Sequence, residues 1–340
     1  ISWSIYSLWS KFYTNKFMLN SSQIKEYHEN GYTILPNLLD LELIKSFISQ
    51  IEQITKGNSL ENHDASKMEM EQDQEPEGKL VRRLYEPCTY YESFRNFSES
   101  LKILNCIECL LGSNIIYHYS KLNMKPPSIG SKVEWHQDLS YYPLTNRDSL
   151  AVLIYLDDAT KYNGCLKILP AFHKEPLMNH SKNGIFRGMI VDDIDYSNSI
   201  DIEGKAGSAI FMNCMTPHSS NQNKSNKPRR TLIISYRSSD AYPIYIKNRD
   251  NLSEKYSRLV KGEELKFSDM SDFDSSTVEG MSMYVENIAE NMLEMLESNA
   301  REVMKYEGEV ISEIGDVEYT RPWWEENDVN NHNSNVDPNN

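Results

Sequence analysis

No run of apolar residues in this 340-residue chain approaches the roughly 20 positions that a membrane-spanning helix needs. The opening stretch, ISWSIYSLWSKFYTNKF, lacks the basic start, apolar centre and small-residue cleavage site of a secretory signal. Neither a span nor a leader is expected. Basic residues are scarce: 35 Lys and Arg stand against 50 Asp and Glu, a formal charge of -15, and a field of that sign repels nucleic acid and anionic membranes. Cysteine is scarce as well. Cys88, Cys106, Cys109, Cys165 and Cys214 are odd in number and irregular in spacing, which suits free thiols in a reducing, cytoplasmic setting. The pair in CIEC, Cys106 and Cys109, has no second pair to complete a zinc site and lies in a helix-like apolar segment, so it reads as core.

What is present is enough for a packed enzyme. Hydrophobic residues make up 39% of the chain, too many for disorder. Residues 1–20 read as an extension, with Met18 a candidate start. Helices are expected after Ser21 and Ser22, and again after Asp40, where Leu43, Phe47, Ile51 and Ile54 keep helical spacing up to Gly57. Residues 58–78 are acidic and polar, a solvated loop by texture. ESFRNFSESLKILNCIECLLG then reads as one helix ending at Gly112.

Past Gly112 the pattern changes to short runs such as NIIYHYSKLNMK, LAVLIYLD, GCLKILP, GSAIFMN and RTLIISYR, separated by turn chemistry. Helices in front and short strands behind imply an antiparallel sandwich or barrel with helical additions. Tyr162, Asn163 and Gly164 carry the signal of a tight hairpin, since Asn-Gly tolerates positive φ. A helical segment is expected over 246–320, with Met281, Val285, Ile288, Met292, Met295 and Leu296 on one face, and an Asn- and Asp-rich disordered tail over 321–340.

The chemistry gathers in VEWHQDLSYYP, residues 133–143. In a strand, residues i and i+2 share a face, so His136 and Asp138 present an imidazole nitrogen and a carboxylate to one point while Gln137 faces away. A metal needs such a pair and at least one ligand more. Of His28, His63, His118, His173, His180, His218 and His332, the best placed is His218, which GSAIFMNCMTPHSS sets at the end of a strand. Two histidines and a carboxylate leave three adjacent positions on a metal free, the donor set of non-haem iron(II) oxygenases. A 2-oxo acid filling two of them needs a cation for its far carboxylate. Arg229 and Arg230 open the next strand, where alternation aims one inward and one outward, and a guanidinium grips a carboxylate through two parallel bonds.

SKLNMKPPSIGSKVEWHQDLSYYP, LDDATKYNGCLKILPAFHK and PHSSNQNKSNKPRRTLIISYR, in this order, resemble the phytanoyl-CoA dioxygenase family of iron(II)- and 2-oxoglutarate-dependent oxygenases, over roughly residues 31–242 with the NGYTILPNLL opening read as helical. The resemblance implies a mainly β fold, a double-stranded β-helix (jelly-roll, cupin-like) core flanked by α-helices, with the dioxygenase domain over 21–245. It implies His136, Asp138 and His218 as iron ligands, and Arg229, eleven residues past His218 (229 minus 218), as the 2-oxoglutarate arginine in preference to Arg230. By the same resemblance Asn123, Tyr142 and Ser220 help to hold 2-oxoglutarate. PAFH replaces the Pro-Gly-Ser-His of many relatives, so His173 reads as structural.

The implied reaction consumes O2 and 2-oxoglutarate, releases succinate and CO2, and hydroxylates a small organic molecule or acyl derivative. Related halogenases carry a small residue where Asp138 stands, so hydroxylation is the expected outcome. A cupin-like metal- or ligand-binding protein without oxygenase activity is the alternative. A zinc hydrolase would have to use Glu134 as its base. Lys121, Lys125 and Lys132 are candidates to face an anionic substrate such as a coenzyme A thioester.

Overall fold

The computed structural model describes residues 18–243, apart from 143 and 184, and residues 256–263. The methionine-rich stripe and the tail over 321–340 lie outside the described residues.

Asn20 caps the first helix, α1 (Ser21–Asn30), by a reciprocal pair: its side chain accepts from the Gln23 amide, and its own amide donates to the Gln23 side chain. The two serines expected before the helix are therefore its first turn. Gly31, at φ 81°, ends it. The next residues form a strand, β1 (Tyr32–Leu35), where a helical opening was expected. Asp40 caps α2 (Leu41–Thr55), accepting from Leu43 N at 2.9 Å, and Ile44, Phe47 and Ile51 form its buried stripe.

The acidic stretch is not all loop. It contains β2 (Met68–Met70), which buries Met68 and Met70 and pairs with β3 (Val81–Tyr85). After the short α3 (Pro87–Tyr90), the helix expected as one piece is two, α4 (Glu92–Ser98) and α5 (Leu101–Leu111). Serine chemistry breaks it: the Ser98 and Ser100 hydroxyls turn back to Arg95 O and Phe97 O, competing with the helical ladder. Cys106 is buried in α5, and both its thiol and that of Cys109 are pushed up by burial, as fits core.

The remaining strands are β4 (Ile115–Lys125), β5 (Val133–His136), β6 (Ser149–Tyr155), β7 (Leu166–Ile168), β8 (Ser181–Lys182), β9 (Ile185–Phe186), β10 (Ile200–Ile202), β11 (Ala209–Asn213), β12 (His218–Ser220), β13 (Arg229–Ser238) and β14 (Arg258–Lys261). One sheet runs β1-β11-β6-β13-β4-β3-β2, with β14 also on β4, and a second runs β10-β7-β12-β5. All these pairings are antiparallel. They form the jelly-roll core with helices against one side. The four residues of β14 lie in the segment expected to be helical.

Alternation in β6 shows how the layers are held. Leu150, Val152 and Ile154 join Phe47, Phe94 and Ile107 in the core under the helices, whereas Ala151, Leu153 and Tyr155 join Leu166 and Ile168 of the second sheet. Each fully buried aliphatic side chain contributes roughly 1.5–3 kcal/mol, so both faces of the large sheet are driven to be covered. The expected hairpin at Asn163-Gly164 is absent. Lys161–Asn163 form a 3-10 turn capped by Thr160, and the strands on either side belong to different sheets, so the segment is a crossover.

Candidate active site

β5 and β12 run antiparallel with His136 directly opposite His218, which brings two imidazoles together from positions 82 residues apart (218 minus 136), their ring centres separated by 4.1 Å. His218 opens β12 rather than ending a strand, and Asp138 lies just beyond β5 in a 3-10 turn, Asp138–Ser140. The same-face geometry survives because Gln137 stays extended (φ -115°, ψ 131°). Asp138 Oδ1 then lies 3.7 Å from His136 Nε2 and 3.8 Å from His218 Nε2.

Three observations fit a metal. Both separations exceed hydrogen-bond length, and a donor atom from each residue lies within 4.8 Å of the others, a spacing one ion can bridge. Each imidazole turns its other nitrogen to a carbonyl two residues back, His136 Nδ1 to Glu134 O at 2.8 Å and His218 Nδ1 to Thr216 O at 3.0 Å. Those bonds place the proton on Nδ1 and aim the Nε2 lone pairs at Asp138. Burial, above all, holds both imidazoles below their ordinary pKa, so they are neutral and ready to ligate.

Gln137 faces away from the triad, as expected, but into protein. Its side chain accepts from Met178 N at 2.8 Å and donates to Met215 O at 2.7 Å, and its backbone N–H donates to His180 Nε2 at 3.0 Å. His180 is thus a support beneath the ligands. Sequence reasoning missed both supporting roles, because the partners are 41 to 78 residues away. Glu134 is turned out to Lys132 at 2.7 Å, and a bulge in the β5–β12 pairing breaks the parity that would have put it beside the triad. Glu134 therefore supplies no base for a zinc hydrolase beside the triad. His173 contacts His28 O at the end of α1, a structural position.

The triad opens onto a cavity of about 190 Å³ between the two sheets. Arg229, Asn123, Tyr142 and Ser220 all line it. Arg229 is buried, donates from Nη1 to Thr231 Oγ1 at 2.5 Å and from Nη2 to Gly164 O at 2.7 Å, and leaves Nε without a hydrogen-bond partner. No carboxylate of the described residues lies within ion-pair distance of it. Gly164 must be glycine: its φ is +77°, and a Cβ there would meet Asn221 O at 2.2 Å. Arg230 points the other way into a two-point grip by Asp157, Nε to Oδ2 at 2.8 Å and Nη2 to Oδ1 at 2.7 Å. Asn123 accepts from Arg83 Nε at 3.0 Å, which orients its amide N–H2 as the free donor end.

Of the three lysines, Lys121 and Lys125 line the cavity while Lys132 stands outside on Glu134. Burial, with Arg229 beside it, pushes Lys125 down to about 6.

The family model described as Phytanoyl-CoA dioxygenase (PhyH) matches residues 27–231, more than half of the chain. The chain belongs to the phytanoyl-CoA dioxygenase family. It is accordingly a non-haem iron(II)- and 2-oxoglutarate-dependent dioxygenase by class. A "Probable alpha-ketoglutarate-dependent hypophosphite dioxygenase" of Stutzerimonas stutzeri is 30% identical over 278 residues, covering 80% of this chain and 96% of the relative. Methylphosphonate hydroxylase of Gimesia maris is 27% identical, covering 75% and 96%. Among solved structures, apo EctD from S. alaskensis aligns with a TM-score of 0.57 at 19% identity, covering 69% of this chain and 84% of that one, which bears out the fold.

Proposed function

We propose that His136, Asp138 and His218 are the iron(II) ligands of this dioxygenase, that Arg229 grips the far carboxylate of 2-oxoglutarate, and that the substrate is a small organic molecule or acyl derivative, hydroxylated as succinate and CO2 leave. The observation that carries the assignment is the conjunction in one cavity of three converging donors and a buried guanidinium that no carboxylate of the described residues neutralises. A buried unpaired charge is costly, so a site that keeps one is built for an anion. A binding module of the same fold has no need of it.

Iron(II) held there supplies the oxygen activation and hydrogen abstraction that no side chain performs. The chain supplies position. Gly164 and Thr231 hold the Arg229 fork, Arg83 turns the Asn123 amide toward the cavity, and Tyr142 and Ser220 complete the cosubstrate wall. We place the catalytic domain at 21–245 and the enzyme in the cytoplasm; five free thiols support the second reading. No helix of the described residues is long and apolar enough to cross a membrane.

Anaerobic addition of 2-oxoglutarate to the iron(II)-loaded protein is expected to give a weak visible charge-transfer band. Bound metal without such a band would favour the binding-module alternative.

A further inference from the structure

The protein carries a formal charge of -15, yet its central cavity is cationic. Arg82, Arg83, Lys121, Lys125 and Arg229 line it, against Glu86 and Asp138 as the lining carboxylates among the described residues. Glu86 is saturated, accepting from Ser120 N, Tyr117 Oη and Thr89 Oγ1. Most of these cations have polar partners among the described residues. Arg82 and Arg83 both reach Glu69, at 2.9 and 3.1 Å. Lys125 donates to Ser131 O and, pushed down to about 6 by burial, carries little of the cavity's charge at neutral pH. Arg229, in the reading above, awaits the cosubstrate.

Lys121 remains. It sits on β4 between Tyr119 and Asn123 in the alternation that faces the cavity, and no carboxylate of the described residues lies within ion-pair distance of it. Lys121 lines the same cavity as His136, Asp138 and His218. Its Nζ lies 5.7 Å from the centre of the Tyr119 ring, a cation–π contact that leaves the charge without a balancing carboxylate among the described residues.

A second feature shares this wall. β4 carries a bulge opposite Ser235 and Tyr236, so His118 and Tyr119, neighbours in sequence, both line the cavity. Neither ring nitrogen of His118 has a hydrogen-bond partner among the described residues, and its ring packs edge-on against Tyr119 and Tyr142. These three rings form an aromatic stretch of the cavity wall.

We propose that Lys121 is the substrate-binding cation and that the substrate carries an oxyanion seated between its ammonium and the triad, with the His118 imidazole lining the same cavity. The proposal rests on the dioxygenase reading for the place of the cosubstrate.

Binding is measured by calorimetry on protein loaded with Zn(II), a redox-inert stand-in, and with 2-oxoglutarate. The probes are hypophosphite, methylphosphonate and acetate, with neutral dimethyl methylphosphonate as control. At least one anion is expected to bind while the neutral ester does not. Lys121→Met, similar in length, should weaken that anion about tenfold or more while 2-oxoglutarate affinity stays nearly unchanged, and Lys121→Arg should largely restore it. Equal anion binding by wild type and Lys121→Met, no binding of any of the three anions to wild type, or equal binding of the ester would each overturn the proposal. Failure of the dioxygenase reading looks different: 2-oxoglutarate itself would not bind the loaded wild-type protein.

Discussion

Arg229 and Arg230 are neighbours at the head of β13 and face opposite sides of the sheet, Arg230 clasped by Asp157 through two bonds of 2.8 and 2.7 Å and Arg229 buried in the cavity without a carboxylate. On the proposed reading the pair separates a structural charge from a cosubstrate-binding one within two residues. Arg229→Ala is expected to weaken 2-oxoglutarate binding by an amount on the order of 2–5 kcal/mol, because truncation removes one side of a buried charge pair. Arg230→Ala should leave that affinity nearly intact and lower stability by about 1 kcal/mol, since its ion pair is partly solvated. Titration of 2-oxoglutarate into both variants, with thermal melts alongside, checks this; equal losses of affinity would show that the side assignment is wrong.

Gln137 and His180 should govern the metal without touching it. His180 accepts from the Gln137 backbone, and the Gln137 side chain ties the segment between His136 and Asp138 to Met178 and Met215. Loss of such outer contacts lowers metal affinity by roughly 10- to 100-fold. Gln137→Ala and His180→Phe are therefore expected to weaken Co(II) binding in that range while the variants stay folded by circular dichroism. Unchanged Co(II) affinity in both would reduce these residues to ordinary packing.

The legible parts of this molecule were those encoded locally. Asp40 announces α2 because a cap acts three residues away, and His136 with Asp138 announces the site because extended backbone puts i and i+2 on one side. Short strands were lost where composition masked them: β2 is Met-Glu-Met inside an acidic stretch, and its pairing with β3 appears only when the chain folds back. Asn163-Gly164 has hairpin chemistry but serves a crossover, because β6 and β7 find partners in different sheets. Gln137 and His180 act through contacts that no local spacing records.

His118 makes acid sensitivity testable. Burial, with Arg237 nearby, holds its folded pKa down to about 3, whereas the unfolded imidazole protonates near 6.5. Between those values the unfolded chain binds a proton that the folded one refuses, so stability is complete above pH 6.5 and falls as pH drops toward 3. By linkage the contribution of this residue is about 2 kcal/mol lost between pH 6.5 and 5. His118→Leu forfeits no hydrogen bond among the described residues, so urea denaturation of the metal-free protein should show a shallower acid decline in the variant. Parallel declines would assign the sensitivity to other histidines.

On the proposed reading, Asp138 is the residue on which the reaction class turns. Its carboxylate has two imidazoles at 3.7 and 3.8 Å, too far for hydrogen bonds and close enough for a shared ion, so its role and its charge can be separated by substitution. Asp138→Ala leaves two neutral nitrogens and should lose most of its iron and all measurable succinate formation. Asp138→Asn keeps the shape without the charge and should bind iron weakly. Asp138→Glu keeps the charge but moves the oxygen by about 1 Å, a displacement that costs on the order of a hundredfold in rate where geometry is tight, while iron binding falls less. The order of iron content is therefore wild type, Glu, Asn, Ala, and the order of turnover drops steeply already at Glu. Iron stoichiometry and succinate release measured on the four purified proteins decide the matter, because a carboxylate that only braced the turn would leave iron content the same in all of them.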